Sequence, residues 1–343
     1  MARISFKLSE VPRTTICKPQ TIRLVRDAYI AAAAINCITM FPTIILNVLL
    51  MRAMSRSPVL RKPSTLLLYS VSASDLLLGL IVQPGYIAKK IGEFTDNFQI
   101  YCKSGILTYT MGNLLVGVSF LNLTAISFDR LLIVTSGLRY PRNVTMLRVV
   151  IVIASIWVLM ASISASQFII TRTTAFTLAA LLIGSSVAIT TICYILAVRK
   201  INQHKTSKIF VNSSETQRVS NVARYKKSTQ TMLLVFVVFL LCYTPYLVVI
   251  TTAAIIGETA DVWSAEAICT VLVYSNSCLN PTILFFRMRE IRNAGKQLFR
   301  KNRVAMAIEE PTLSITRTVR NHNTVAILEI IEENSHNRPI PVE

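Results

Sequence analysis

Charge is scarce in this chain. Of its 343 residues only 15% are Asp, Glu, Lys or Arg, while 52% are hydrophobic. A soluble domain of this length rarely carries so little charge. Acid is scarcer than base, with 17 Asp and Glu against 36 Lys and Arg, a formal net charge of +19. That surplus does not make a nucleic-acid binder. The basic residues stand in short runs between apolar stretches, and no aromatic-basic interleaving occurs. Glycine-rich phosphate loops and zinc-ligand spacings are missing, which removes the corresponding nucleotide and metal readings. The seven cysteines stand singly, several inside apolar stretches, and form no disulfide framework. No nucleophile–base pair or metal cluster can be assembled, so enzymatic activity has no support. The N-terminus, MARISFKLSEVPRTTICKPQ, lacks the apolar core of a signal peptide. The first apolar span would then act as an uncleaved signal anchor. Internal repeats are also missing.

What is present is length without charge. A helix needs about 20 apolar residues to cross a bilayer. Seven stretches qualify: Tyr29 to Met51, Ser64 to Ala88, Ser104 to Phe128, Val149 to Thr171, Thr173 to Val198, Ser228 to Gly257 and Val262 to Phe286. Only Asp75 and Glu266 interrupt them. The fourth and fifth are divided by a very short outer loop carrying one charge, Arg172. The expected fold class is an all-α membrane protein, a seven-transmembrane helix bundle. Orientation follows from the basic connections. Arg52, Arg56, Arg61, Lys62, Arg139, Arg142, Arg148 and the run from Arg199 to Lys227 all fall on one side, which is then cytoplasmic. The N-terminus is then extracellular, although it carries basic residues of its own, among them Arg3, Lys7 and Arg13.

After the last span, FFRMREIRNAGKQLFRKNR places Phe285, Phe286, Met288, Ile291, Leu298 and Phe299 at helical spacing among basic residues. That pattern predicts a short amphipathic eighth helix on the inner membrane surface, its basic side toward anionic lipid. Three regions follow: an extracellular tail over residues 1–27, a bundle with its eighth helix over 28–302, and a disordered cytoplasmic tail over 303–343. A short helix in TVAILEIIEE is compatible with that last assignment.

A few polar residues stand inside the spans. Asp75 lies mid-span, where a carboxylate must face a polar interior. Asn47, Ser119, Asn276 and Asn280 can share its layer. Asp129 and Arg130 end the third span in TAISFDRLLIV. A lone arginine there is commonly a head-group anchor, and polar residues in spans commonly serve as interhelical glue. Prolines 84, 245 and 281 each remove a backbone hydrogen bond and permit a kink. The order and spacing of these features resemble rhodopsin-like (class A) G-protein-coupled receptors over about Ala28 to Phe299. Asp129-Arg130-Leu131 resembles that family's Asp-Arg-Tyr. FLLCYTPY resembles its Cys-Trp-x-Pro, with Tyr243 for the tryptophan, and LNPTILFF resembles its Asn-Pro-x-x-Tyr, with Leu284 for the tyrosine. Trp157 and Tyr194 match landmark positions of the fourth and fifth helices.

The resemblance implies roles. Asp129, Arg130, Tyr194, Tyr243, Pro245, Asn280 and Pro281 would form the coupling switch toward a heterotrimeric G protein, with arrestin as a further partner. Asp75, Ser119 and Asn276 would hold an allosteric sodium ion, and Asn47, Asp75 and Asn280 a polar network; no other cofactor is implied. Gln83, Tyr109, Asn113, Val116, Tyr243, Tyr246 and Tyr274 would line the pocket for an extracellular ligand. For any single tyrosine, plain helix packing explains as much. No acidic lock residue faces Arg130 near Tyr225 and Lys226, which predicts raised basal activity. The expected location is the plasma membrane.

The departures narrow the ligand. Tyr274 stands where opsins hold retinal on a lysine, and Gly112 where amine receptors place an aspartate. With nothing else charged expected at that depth, a non-amine, non-retinal ligand is the reading, either a melanocortin-like peptide or a lipid-like molecule. Ser186 replaces the usual fifth-helix proline, and the second outer loop has no cysteine. The family's usual disulfide therefore cannot form, and any pairing among Cys17, Cys102 and Cys269 stays open. These traits resemble the melanocortin, cannabinoid, lysophospholipid and adenosine branch. The altered motifs also allow a seven-span protein without G-protein coupling, a scavenger or arrestin-biased receptor. A transporter is disfavoured, since only Asp75 is charged at midplane depth.

Overall fold

The structure is a computed structural model and describes residues 25–57, 62–136, 140–166, 168–169, 172–206, 215–257 and 259–297. The expected assignments for both terminal tails, including the TVAILEIIEE helix, lie outside them, as do Leu298 and Phe299. Seven helices are long and apolar enough to span a membrane: α1 (Arg26–Arg56), α2 (Pro63–Phe94), α3 (Phe98–Ser136), α4 (Met146–Ser166), α5 (Arg172–Thr206), α6 (Glu215–Ile256) and α7 (Ala260–Arg287). In hydrocarbon every backbone N–H and C=O must find its partner within the segment, and a helix does this for itself. A short helix, α8, covers residues 289–297. The chain divides into two compact units, one ending at Arg292 and the other beginning at Asn293.

Most helices outrun the apolar stretches that announced them. α6 starts at Glu215 rather than near Ser228, and α5 continues to Thr206 rather than Val198. Polar residues end an apolar span but do not end a helix, so the ends project beyond the hydrocarbon. Arg172, expected in the loop between the fourth and fifth spans, is the first residue of α5, and α4 ends at Ser166. The connection is as short as expected, with a turn at residues 168–169. At the C-terminal end of α6, on the side expected to face outward, Gly257 adopts φ +88 and its N–H reaches the Ala253 carbonyl at 3.1 Å. Thr259 then caps α7, its Oγ1 accepting from Val262 N at 3.4 Å.

α2 contains one π-helical turn, Leu78–Val82, closed by the Gln83 N–H on the Leu78 carbonyl. Pro84 follows at once and has no N–H to give to Leu80, so the regular ladder is already broken there. Beyond the wide turn the helix packs against α3 and α1, and Tyr86 reaches α7, its hydroxyl donating to the Ala267 carbonyl at 3.4 Å. α3 is the centre of the bundle and packs against α2, α4, α5 and α6. α7 packs against α1 and α6, closing the ring. Ile38, Leu147 and Leu241, at 70%, 69% and 67% exposure, point outward as lipid requires. The outer half of the bundle is filled by Tyr29, Val82, Tyr86, Leu115, Val271 and Tyr274, with Val116, Tyr243 and Tyr246 packed against them.

The cysteines differ from a free choice among three. Cys102 is disulfide-bonded, while Cys269 is a buried free thiol, so Cys269 is not its partner. Cys17 lies outside the described residues.

Candidate functional site

Three layers of polar chemistry run down the interior of the bundle. The middle one is built on Asp75, which is 1% exposed. Its Oδ1 accepts from Ser277 Oγ at 2.8 Å and Ser119 Oγ at 3.2 Å, and its Oδ2 accepts from Asn280 Nδ2 at 2.9 Å. Ser74 and Ser119 share a further bond at 2.7 Å. Asn47 does not touch the carboxylate. Its Nδ2 donates to the Ser277 carbonyl at 3.0 Å and the Thr43 carbonyl at 2.8 Å, which joins α1 to α7 beside it. Asn276 is buried on the neighbouring position of α7, and its Oδ1 has no hydrogen-bond partner. Ser277 and Ser74 were not anticipated. A serine in a span is ordinary, and only the rotation of α7 and α2 around Asp75 selects these two.

This layer fits a small monovalent cation. Asp75 supplies one negative charge, and Asn280 Oδ1 and Asn276 Oδ1 are buried acceptors without a donor among the described residues. Oxygen donors with a single carboxylate suit sodium rather than a transition metal. No group of three or more His, Cys, Asp or Glu that could hold a metal occurs among the described residues. Beside this layer, Ser70 Oγ accepts from both Trp157 Nε1 and Asn122 Nδ2 at 3.0 Å, tying α4 and α3 to α2.

The inner layer surrounds Arg130, whose side chain is 10% exposed. Its Nη2 lies 3.0 Å from Asp129 Oδ2, and its Nη1 donates to Ser228 Oγ on α6 at 3.1 Å. Tyr140, on the single helical turn Tyr140–Asn143, donates its hydroxyl to Asp129 Oδ1 at 2.6 Å. Burial and this bond to Asp129 push the Tyr140 phenol above its ordinary range, so it remains a donor. The expectation of no lock near Tyr225 and Lys226 omitted Ser228, whose neutral hydroxyl bridges α3 and α6. Tyr194 is buried, with its ring centroid 6.2 Å from that of Phe236, and within electrostatic reach of Arg130.

Between the layers runs a column of rings. Phe120 stacks on Phe239 at 5.1 Å, and Phe239 on Tyr243 at 4.9 Å. Tyr246 meets Tyr243 edge-on at 6.2 Å. Pro245 lies between those two tyrosines within α6, and Pro281 follows Asn280 within α7. The outer layer brings Val116, Tyr243, Tyr246 and Tyr274 together. Tyr274 meets Tyr86 edge-on at 5.7 Å, and a Cβ added at Gly112 would stand 3.7 Å from the Tyr274 hydroxyl. Gln83 does not join them. It is fully buried against α1, its Nε2 donating to Asn36 Oδ1 at 3.0 Å and Thr39 Oγ1 at 3.2 Å. Asn113 is exposed, and Tyr109 is 39% exposed while within electrostatic reach of Tyr246. Two charged residues at this end were not anticipated as part of the interior. Lys90 and Glu93 are buried and paired at 2.9 Å.

Comparison with known proteins agrees with this geometry. The histamine H2 receptor of Canis lupus familiaris is 27% identical over 304 residues, 83% of each chain. That of Rattus norvegicus is 29% identical over 277 residues, 75% of this chain and 76% of the relative. The crystal structure of squid rhodopsin shares the fold, with a TM-score of 0.70 at 16% identity, covering 79% of this chain and 85% of that one. The profile described as "7 transmembrane receptor (rhodopsin family)" matches residues 46–180 and 171–284. With seven membrane-length spans, four of them packed against α3, and that profile matched over most of its length, this chain belongs to the rhodopsin family of seven-transmembrane, G-protein-coupled receptors, and not to an enzyme family.

Proposed function

We propose that this protein is a plasma-membrane receptor, its N-terminus outside, that passes binding of a diffusible ligand to a heterotrimeric G protein through Arg130. The observation that carries this reading is the enclosure of Arg130 between Asp129, at 3.0 Å, and Ser228 of α6, at 3.1 Å. Both contacts close the inner face between α3 and α6. Moving α6 outward breaks the Ser228 contact and frees the guanidinium, whose Nε already has no acceptor. A ligand drives that change only as far as it binds the opened state better than the closed one. Tyr194 and an incoming helix of the G protein are the acceptors we assign to the freed Arg130. The column Phe120–Phe239–Tyr243 joins the ligand layer to this gate, because displacing Tyr243 disturbs the stack between α3 and α6.

The Asp75 layer is proposed to hold sodium in the closed state through Asp75, Ser119 and Asn276, with Ser277 and Asn280 placing the carboxylate. Bound there, the ion would supply the charge that balances Asp75. The ligand is neither retinal nor dependent on a third-helix carboxylate, since Tyr274 and Gly112 hold those positions. The expectation of a melanocortin-like branch rested on the short second outer loop, its lack of a cysteine and the missing fifth-helix proline. That of a non-amine ligand rested on a pocket without charge. Lys90, Glu93 and Glu266 supply charge near its tyrosines, and the relatives are receptors named for an amine.

The test is guanine-nucleotide exchange on a panel of purified G proteins, with the full chain in membranes. Exchange that Arg130→Ala abolishes, at unchanged surface expression, supports the reading. No exchange with any of them favours the second one, a seven-span protein that recruits arrestin or only captures ligand. The observation behind that alternative is the set of altered motif residues Leu131, Tyr243 and Leu284, the last buried at 3% exposure.

A further inference from the structure

Glu266 interrupts the apolar run of α7, and nothing in the coupling machinery uses it. A helix start favours acidic residues in its first turn, but Asp261 already fills that place and Glu266 lies beyond it. Its main-chain carbonyl accepts from Thr270 Oγ1 at 2.7 Å. Its carboxylate makes no hydrogen bond or ion pair among the described residues, although the side chain is half-buried. Its neighbour Ala267 packs in one cluster with Tyr86, Tyr274 and Tyr246 and accepts from the Tyr86 hydroxyl at 3.4 Å, and Glu266 lies within electrostatic reach of these three tyrosines and also of Tyr29 and Lys90.

The cation within its reach, Lys90, has its ion pair elsewhere. Lys90 and Glu93 pair with each other, and the Lys90 ammonium lies 3.2 Å from the Tyr29 ring centroid. The Lys89 ammonium lies 5.8 Å from the Tyr101 ring centroid, at the start of α3. The hydroxyls of Tyr246 and Tyr274 make no hydrogen bond among the described residues. On the third helix, Gly112 offers no side chain at all. A carboxylate with no ion pair of its own among the described residues, two hydroxyls without a hydrogen bond there and several aromatic rings thus converge on the outer end of the interior. Such convergence of few polar groups in an aromatic setting is what a small-ligand site needs.

We propose that Glu266 is the anionic anchor of the ligand site and takes a positively charged nitrogen, ammonium or guanidinium, beside the rings of Tyr86, Tyr246 and Tyr274. This rests on reading the bundle as a receptor for a diffusible ligand. Charge-assisted hydrogen bonds to the carboxylate and cation–π contact with the rings act on the same group. The recognition charge then sits on the seventh helix instead of the third. A free amine and the basic side chain of a peptide share this chemistry.

The experiment uses the full-length protein in lipid nanodiscs and reads its unfolding midpoint against added probe. The small probes are histamine, phenethylamine and agmatine, each beside an uncharged analogue such as phenethyl alcohol. The peptide probes are short sequences with one Lys or Arg, beside the same peptides with Gln. At least one cation should raise the midpoint where its uncharged partner does not, and the set that does so identifies the source. Glu266→Gln should weaken that response about tenfold or more, and Glu266→Asp, which keeps the charge, should restore part of it. The unliganded midpoints of both variants control for folding. The proposal is overturned if Glu266→Gln keeps the full response, if charged and uncharged probes act alike, or if no cation stabilises the parent. Nucleotide exchange by the parent without probe is measured separately. Its absence would count against the coupling role and leave the anchor assignment to stand or fall on the midpoints.

Discussion

Tyr140 donates to a carboxylate that already holds Arg130, so one phenol sets how firmly the inner gate rests. Hydrogen bonds to charged groups contribute about 1.5–3 kcal/mol. Tyr140→Phe removes one of these from the closed state and is expected to raise basal nucleotide exchange several-fold; Ser228→Ala, acting on the other contact of the gate, should do the same. Exchange equal to the parent in both variants would show that neither contact restrains α6. Asp75→Asn keeps the shape of the middle layer and removes its charge. Thermal stability or agonist affinity measured in sodium chloride against N-methyl-D-glucamine chloride, at equal ionic strength, should differ for the parent and not for the variant. A parent indifferent to the choice of salt would end the sodium assignment, because coupling between ion and agonist is reciprocal. At this scale the sequence was readable where a residue type was rare in its setting. Asp75 and Arg130 stood out because charge in an apolar run is expensive. Ser277, Ser228 and Tyr140 did not, because hydroxyls are common and their importance lies in which neighbour a helix rotation presents to them. Glu266 was noticed as an interruption but could not be placed, since its tyrosines come from other helices.

Helices approach most closely where a side chain is missing, and two glycines test different kinds of contact. A Cβ at Gly92 would stand 2.5 Å from the backbone nitrogen of Tyr101 and 2.9 Å from its Cα, so the start of α3 itself must move. A Cβ at Gly117 would meet the methyl and sulfur of Met160, the far end of a flexible side chain on α4. Overpacking costs about 1–3 kcal/mol when nothing can yield. Gly92→Ala should therefore lower the unfolding midpoint clearly and Gly117→Ala little, with the reverse order counting against this account. The helices themselves were legible as seven charge-poor runs, because the bilayer imposes one length on all of them. Their true ends were not, since Glu215 and Thr206 lie in polar sequence that continues a helix as readily as it leaves one. The π turn was equally hidden. Pro84 marks the place where the ladder fails, but a proline alone predicts a kink as readily as an extra residue in the turn.

For the molecule as a whole, the proposed reading makes the inner and middle layers a gate and its balance, and gives the outer layer the charges that a ligand would meet. The bonded Cys102 ties down the outer end of α3, although the second outer loop offers no cysteine. Losing a disulfide typically costs about 2–4 kcal/mol. Cys102→Ser should then reduce surface expression and lower the unfolding midpoint, and a variant matching the parent in both would show the bond to be dispensable. The wide turn at Leu78–Val82 reaches further than its own helix. It accommodates one residue more than a regular helix of the same rise, and each residue turns an α-helix by about 100°. A relative without it would carry one residue fewer there, and beyond that point its side chains would fall out of step with this chain by one position. Contacts along the outer part of α2, those of Tyr86, Lys90 and Glu93 among them, would then be matched to the wrong neighbours unless that one-residue offset were allowed for.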